Sequence, residues 1–391
     1  MNPSQLPLRY GCNPHQTPAR VFVPDGELPF TVLNGNPGYI NLLDALNSWQ
    51  LVRELRAALS LPAAASFKHV SPAGAAVAVP MSDTVKKACC VDDMELSPLA
   101  CAYARARGAD RMSSFGDWAA LSDTVDLSTA HLLKREVSDG VIAPGYDPEA
   151  LAVLREKKGG RYTIIAMDPS WEPQGPEQRD LFGMVFEQQR ATIAMTPEVL
   201  ANVVTNNKDI PPRAGQDLIL AQIALKYTQS NSVCFAHDGQ ITGTGAGQQS
   251  RIHCVRLAAE KSDRWFLRQH PRVQHLAFRP GLSRADMNNA IDQCFERSLT
   301  AAEEQQWESC FVDVPRRLSE QEKREWLNAI DGVSLASDAF FPFRDNIDRA
   351  SQSGVRFIVQ PGGATREEGV IAACNEYAMV MALTGIRLFT H

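Results

Sequence analysis

Along this chain, stretches with helical spacing of apolar residues alternate with short apolar runs, and the alternation restarts near residue 200. Residues 41–60, NLLDALNSWQLVRELRAALS, set Leu42, Leu46, Trp49, Val52, Leu55 and Leu59 at three- and four-residue steps, which predicts an amphipathic helix with Asn41 as its N-cap. The small apolar run from Pro62 to Lys68 predicts a buried strand that ends at Lys68-His69, ahead of a Pro72-Ala-Gly74 turn. ACAYARARGADRM reads as helix, while MSSFGDW and EVSDGVIAPG read as two further strand-and-loop junctions. After residue 200, DLILAQIALKY is apolar on all sides and predicts a buried helix, followed by strand SVCFAH, an Asp238-Gly239 hairpin turn and strand QIT. Glycine-rich TGTGAGQQ leads into helix SRIHCVRLAAEK. Further on come helix NIDRASQSG, strand VRFIVQ, loop PGGATREEG, helix VIAACNEYAMVMALTG and a final strand IRLFTH. Helices interleaved with strands cover the faces of a layered sheet, so the expected class is α/β with the unit present twice. The linker is expected in TIAMTPEVLANVVTNNKDIPP, dividing the chain into 1–195 and 196–391.

At 391 residues, 44% apolar and 21% charged, the chain is long enough for two ordinary domains. Its net charge of −6 provides no global positive field for nucleic acid or an anionic membrane, so an anionic substrate needs a local basic cluster. The N-terminal MNPSQLPLRYGCNPHQ lacks a signal-peptide pattern, and no run of about 18 apolar residues occurs, which together predict a cytoplasmic protein. Nine cysteines, odd in number and without a C-x-x-C pair, read as reduced thiols.

Several constellations carry chemistry, each with a plainer counterpart. Lys68-His69 combines a group that titrates near neutrality with a cation able to hold an anion or protonate a leaving nitrogen, a pairing suited to acyl transfer. Neighbours on a regular strand point to opposite faces, so both serve one site only if the strand has ended. A surface lysine beside a packed histidine fits the same dipeptide. Gly243, Gly245 and Gly247 ahead of a helix allow close ligand approach or simply a tight turn. Neither G-x-G-x-x-G nor a P-loop is present, and the lack of the latter argues against an ATP-driven reaction. SDAFFPFRDN sets Phe340, Phe341 and Phe343 around Pro342, followed by Arg344 and Asp345; it suits a clamp for a flat heterocycle or a core corner capped by an Arg-Asp pair. Asn231 and Arg387 abut apolar strands, where polar residues are usually structural. A zinc-dependent deaminase needs H-x-E and P-C-x-x-C; neither is found, so no zinc is expected.

Through LRYGCNPHQ, SFKHVSPAGAA, ARARGADRMSSFGDW, REVSDGVIAPGY, LKYTQSNSVC, GAGQQSRIHC, SDAFFPFRDN and the terminal IRLF-x-H, the chain resembles the transformylase part of the bifunctional AICAR transformylase/IMP cyclohydrolase family. That resemblance implies two zinc-free cytidine-deaminase-like subdomains and a homodimer with sites between subunits. It implies formyl transfer from 10-formyltetrahydrofolate to the amine of AICAR, an aminoimidazole carboxamide ribotide, in purine synthesis. His69 would be the base, Lys68 would assist folate N10 as it leaves, and Asn231 would stabilise the oxyanion. Arg9, Tyr10, Phe115, Gly116, Asp139, Arg251, Phe340 and Arg387 would bind the nucleotide. Ile252, Pro342, Asp345, Gly362 and Gly363 would face the folate. Thr228, Ser230, Ser232, Asp338 and His391 would be candidate potassium ligands. The family's cyclohydrolase domain would precede LRYG, so either ring closure is expected from a separate IMP cyclohydrolase or the chain is a fragment. PGGATREE stands where the family has a PSG-like folate loop. Two competing readings are a zinc-type base deaminase and a catalytically silent AICAR-binding regulatory protein.

Overall fold

The computed structural model describes residues 3–391. A small strand pair, β1 (Gln5–Leu8) and β2 (Ala19–Phe22), precedes β3 (Phe30–Asn34), α1 (Tyr39–Leu59), β4 (Ala63–Lys68), β5 (Ser71–Val77), α2 (Asp83–Ala88), α3 (Pro98–Gly108), β6 (Asp117–Leu121), α4 (Leu127–Arg135), β7 (Ser138–Ala143), α5 (Pro148–Arg155) and β8 (Thr163–Met167). An exposed hairpin follows, formed by β9 (Glu177–Leu181) and β10 (Met184–Gln188). The chain then runs through α6 (Pro212–Lys226), β11 (Val233–His237), β12 (Gln240–Gly245), α7 (Arg251–Leu267), α8 (Pro271–Gln274), α9 (Arg284–Gln293), α10 (Ala301–Glu308) and α11 (Glu320–Asn328). It closes with β13 (Val333–Ser337), α12 (Asp345–Ser351), β14 (Val355–Gln360), α13 (Glu367–Glu376) and β15 (Val380–Leu383). The expected α/β class is what the chain adopts.

Eleven strands form one mixed sheet in the order β15-β14-β13-β11-β12-β5-β4-β6-β7-β8-β3. Within it, β5-β4-β6-β7-β8 and β12-β11-β13-β14-β15 repeat the same neighbour order and the same pairing senses: antiparallel, antiparallel, parallel, parallel. The two series meet where β12 pairs with β5 antiparallel, Gln240 opposite Ala76, as strands related by a twofold rotation would. Both faces are covered, so the central strands are apolar on both sides. Ala63, Ala65, Phe67, Trp118 and Ala120 pack beneath α1 and α6, while Ala64, Ala76, Ala119 and Leu121 pack beneath α3 and α7. Among the described residues no helix is long and apolar enough to cross a membrane.

Several local expectations shift. Helix α1 starts earlier, with Gly38 at the N-cap, and Asn41 caps from inside by accepting the Gly38 N–H at 3.0 Å. Pro72–Gly74 lies within β5, because the chain reverses two residues earlier, at His69-Val70. Gly243 and Gly245 are strand residues of β12, not a cradle for an anion. A Cβ on either would come within 2.1 Å of a carbonyl of α7, so glycine here lets the helix lie directly on the strand. Helix α13 ends at Glu376 and the apolar VMAL beyond it is β15; the expected final strand at 386–391 does not form. That segment crosses the strand ends instead, where the Leu388 N–H meets the Asp338 carbonyl at 2.8 Å and the Ser230 N–H meets that of Thr390 at 2.9 Å.

Candidate active site

β4 and β5 are joined by a two-residue turn in which His69 and Val70 have φ of +51° and +57°. This is the left-handed pair that tight hairpins require. It ends the strand between Lys68 and His69, meeting the condition under which consecutive side chains can serve one site. Lys68 is half-buried, and its Nζ donates to the Phe115 carbonyl at 2.6 Å, while the imidazole of His69 is exposed. Val70 donates its N–H to Asp44 of α1 at 2.7 Å.

The segment that receives Lys68 rests on buried charge. Asp117, the first residue of β6, accepts from Ser66 at 2.6 Å, from Tyr103 at 3.3 Å and from Arg107 at 2.5 Å. Ser66 also shares a hydrogen bond with the Ser114 hydroxyl at 2.8 Å, tying β4 two residues before Lys68 to the turn that carries Phe115 and Gly116. Arg107 continues to Glu136 at 3.1 Å and to the Val137 carbonyl at 3.0 Å. Glu136 further receives Arg111 of the same network and Arg284 of α9, 148 residues away in sequence. Burial alone would raise the Glu136 carboxyl, but Arg111, Arg107 and Arg284 hold it down at about 2. Between Lys68 and α9 lies a cleft of about 350 Å³ lined by Lys68, Arg107, Arg111, Arg135 and Arg284 against the two acids Glu136 and Asp286, together with Met112, Phe115 and Asn289. Three of its five cations, Arg107, Arg111 and Arg284, are paired with Glu136.

A second group sits around Asp338 at the end of β13. Ser230 and Ser232 donate to one carboxylate oxygen at 2.6 and 2.9 Å, and Arg251, the first residue of α7, pairs with the other. Arg251 also donates to the Asn231 side-chain oxygen at 2.9 Å, leaving the Asn231 amide reaching the Gln249 carbonyl at 3.3 Å. Thr228 turns its hydroxyl to the Ala224 carbonyl, and the carbonyl of exposed His391 accepts from Arg179 at 2.6 Å. Phe340 is exposed and Pro342 half-buried. The intervening Phe341 is buried, its N–H held by Gln360 at 2.6 Å. Arg344 pairs with Asp348 and Glu376 rather than with Asp345, which stays exposed at the start of α12. Gly362 and Gly363 have φ of +84° and +93° after β14, a loop conformation that glycine adopts freely.

Strand registers bring both groups to the same end of the sheet: the β4–β5 turn and the N-termini of β6 and β7 in one series, the N-terminus of β11 and the C-termini of β13 and β14 in the other. They are not brought into contact. Three inter-strand steps separate β4 from β11, about 14 Å at the usual spacing. Asp139 is exposed beside the first group and pairs with Lys158 at 2.7 Å. Exposed Arg9 lies 5.8 Å from the ring centre of Tyr10, Arg387 lies 4.7 Å from that of Phe389, and half-buried Ile252 follows Arg251.

Sequence reading missed Asp44, Arg107, Asp117 and Glu136. One signal was present for Asp44: with Ser48, Leu51 and Leu55 it lies on a buried stripe of α1, where an acid needs a partner.

Residues 2–261 match the family described as AICARFT/IMPCHase bienzyme. Over 391 aligned residues the chain is 31% identical to the bifunctional purine biosynthesis protein PurH of Xylella fastidiosa (strain M12), covering 98% of this chain and 58% of that protein. It is also 31% identical to the protein of that name from Magnetococcus marinus, across 98% of this chain and 59% of that protein. The chain thus spans less than two thirds of the length of these relatives. With the family description matched over more than half of its residues, the chain belongs to the AICARFT/IMPCHase bienzyme family.

Proposed function

We propose that this chain is a folate-dependent formyltransferase that moves the formyl group of 10-formyltetrahydrofolate to the 5-amino group of AICAR, giving the formamido product and tetrahydrofolate in purine synthesis. The observation that carries the reading is the left-handed turn that frees both Lys68 and His69 from the strand alternation, in a member of this family. The amine nitrogen attacks the formyl carbon and its proton passes to His69. The carbon–N10 bond then breaks as N10 receives a proton on the Lys68 side. Asn231 is suited to the oxygen of the tetrahedral adduct, since Arg251 engages its side-chain oxygen and its amide, which reaches the Gln249 carbonyl at 3.3 Å, has a second hydrogen to donate. Arg9, Arg387 and Arg251 suit the ribotide phosphate and carboxamide, with Tyr10, Phe115, Gly116, Asp139 and Phe340 around the nucleotide. Ile252, Pro342, Asp345, Gly362 and Gly363 would take the folate.

The halves 1–195 and 196–391 are read as two cytidine-deaminase-like subdomains, a division supported by the repeated strand order. Within one chain Asn231 and His69 stand at the ends of strands two to three inter-strand steps apart, about 10–14 Å at the usual spacing. A homodimer in which each subunit supplies one group resolves this. The β9–β10 hairpin supports the dimer: it exposes Leu181, Phe182, Met184, Val185 and Phe186, with Phe182 96% accessible, and a lone two-stranded hairpin is marginal in water. The double variant Phe182→Asp/Val185→Asp is therefore expected to sediment as a folded monomer without turnover; a dimer of unchanged mass would remove the hairpin from the contact.

Asp338 has Arg251 on one oxygen and two serine hydroxyls on the other, so its charge is balanced and the arrangement does not fit a cation bound through that carboxylate. All nine cysteines are free thiols, seven of them buried, which supports a reducing cytoplasmic setting. The test is tetrahydrofolate production by the purified protein from AICAR and 10-formyltetrahydrofolate, with and without an added IMP cyclohydrolase. Turnover that needs both substrates is expected. Its absence in both mixtures, from a folded dimer, favours a silent AICAR-binding regulator.

A further inference from the structure

The two hairpins related by the repeat are held in the same way. Asp44 of α1 accepts the Val70 N–H at 2.7 Å, and Asp217 of α6 accepts the Asp238 and Gly239 N–H groups at 3.0 and 2.7 Å. Both acids are buried, both come from the helix preceding the hairpin, and both turns have two residues at positive φ. The turn residues differ. Asp238-Gly239 is a pair that such a turn prefers, whereas His69-Val70 places a β-branched valine in the left-handed region, where such residues are outliers. Asp238 is also paired with buried Arg105 at 3.1 Å, which closes the second hairpin, while His69 stays open to solvent. Strained backbone thus occurs at the hairpin that carries the reactive pair and is absent from its counterpart, and strain of this kind persists only where its surroundings hold it.

We propose that Asp44 is a positioning residue for formyl transfer: by holding the Val70 N–H it keeps His69-Val70 in the left-handed turn that lets Lys68 and His69 serve one site. The inference rests on the formyl-transfer reading. Burial raises the Asp44 carboxyl while the Val70 N–H and neighbouring His69 oppose that rise, which is the balance expected of an acid engaged with the turn.

The test compares Asp44→Ala, Asp217→Ala and the double variant Asp44→Ala/Val70→Gly by melting temperature, kcat and KM. Asp44→Ala is expected to lower kcat about 30-fold with both KM values within about threefold, since a small misplacement of a reacting group has effects of this order. Asp217→Ala removes the equivalent contact and should lower the melting temperature comparably while kcat stays within about threefold. Glycine tolerates positive φ, so the double variant should regain about tenfold of the lost kcat. Equal losses in Asp44→Ala and Asp217→Ala would overturn the inference, as would a double variant that is folded but not rescued. If Asp44→Ala alone does not fold, the double variant carries the test, and its failure to fold would also overturn it, because glycine supplies the turn without the carboxylate. Should the wild type itself not turn over, the formyl-transfer reading fails instead. The His69 ring-proton resonances then decide the inference: they should shift in Asp44→Ala and return in the double variant, and unshifted resonances would sink it.

Discussion

Substituting His69 with alanine is expected to lower turnover by about two to four orders of magnitude, the range for a lost general base, while AICAR affinity changes little. The attacking amine is a poor nucleophile, because its lone pair is delocalised into the imidazole ring and its carboxamide. As it adds to the formyl carbon, nitrogen becomes strongly acidic, and unless that proton leaves, the adduct expels the amine again and returns to substrates. His69 lies exposed at the tip of the turn, open to an incoming substrate, and no other histidine lies on that hairpin. Lys68 and Asn231 remain in the variant, so stabilisation of the oxyanion survives and leaves residual activity. Steady-state tetrahydrofolate formation measures the loss and calorimetric titration with AICAR measures the binding. Turnover equal to wild type would remove His69 from the chemistry.

Asp117→Ala should have the largest effect on stability. Arg107 and Asp117 are 4% and 0% exposed in their side chains, so truncating the acid leaves the buried Arg107 guanidinium with Glu136, already shared with Arg111 and Arg284, as its remaining acid. Breaking such a pair costs about 3–5 kcal/mol, against far less for replacing both members by apolar residues of similar size. The expected signature in urea unfolding is therefore a large loss for Asp117→Ala that Asp117→Leu/Arg107→Met largely recovers. Equal losses in the two would show that the pair itself, and not the under-compensated buried charge, decides. Because Ser66, Ser114 and Val137 hang on the same network, Asp117→Ala should also loosen the Phe115 carbonyl that holds Lys68. The neighbouring Glu136 adds a pH dependence. Its folded value of about 2 lies below its ordinary 4.5, so the stability it contributes is present above 4.5 and is lost as pH falls toward 2. The same urea series carried into acid should show that decline, and Glu136→Gln should flatten it.

Where a feature depended on neighbours in sequence, it was legible. The helical stripe of α1, the small-residue strand ending at Lys68 and the Asp238-Gly239 hairpin all follow from periods and turn residues spanning a few positions. Gly243 and Gly245 were misread because a glycine that opens a loop and a glycine that admits a helix backbone look the same in one dimension; the 2.1 Å approach of α7 distinguishes them. The VMAL of β15 follows α13 without a breaker, and a short apolar run there satisfies helix and strand alike until a sheet edge is available to pair with.

The sequence by itself determined the α/β class, the place of Lys68-His69 at a strand end and, through its ordered motifs, the family. Tertiary structure alone decided that the two strand series share one sheet through β12 and β5, that Arg284 reaches Glu136 across 148 residues, and that Asp44 holds the turn under His69. The physical reason is the same in each case. A buried carboxylate or an unpaired strand edge must find a partner, and the chain position of that partner is set by which surfaces pack together rather than by any local period.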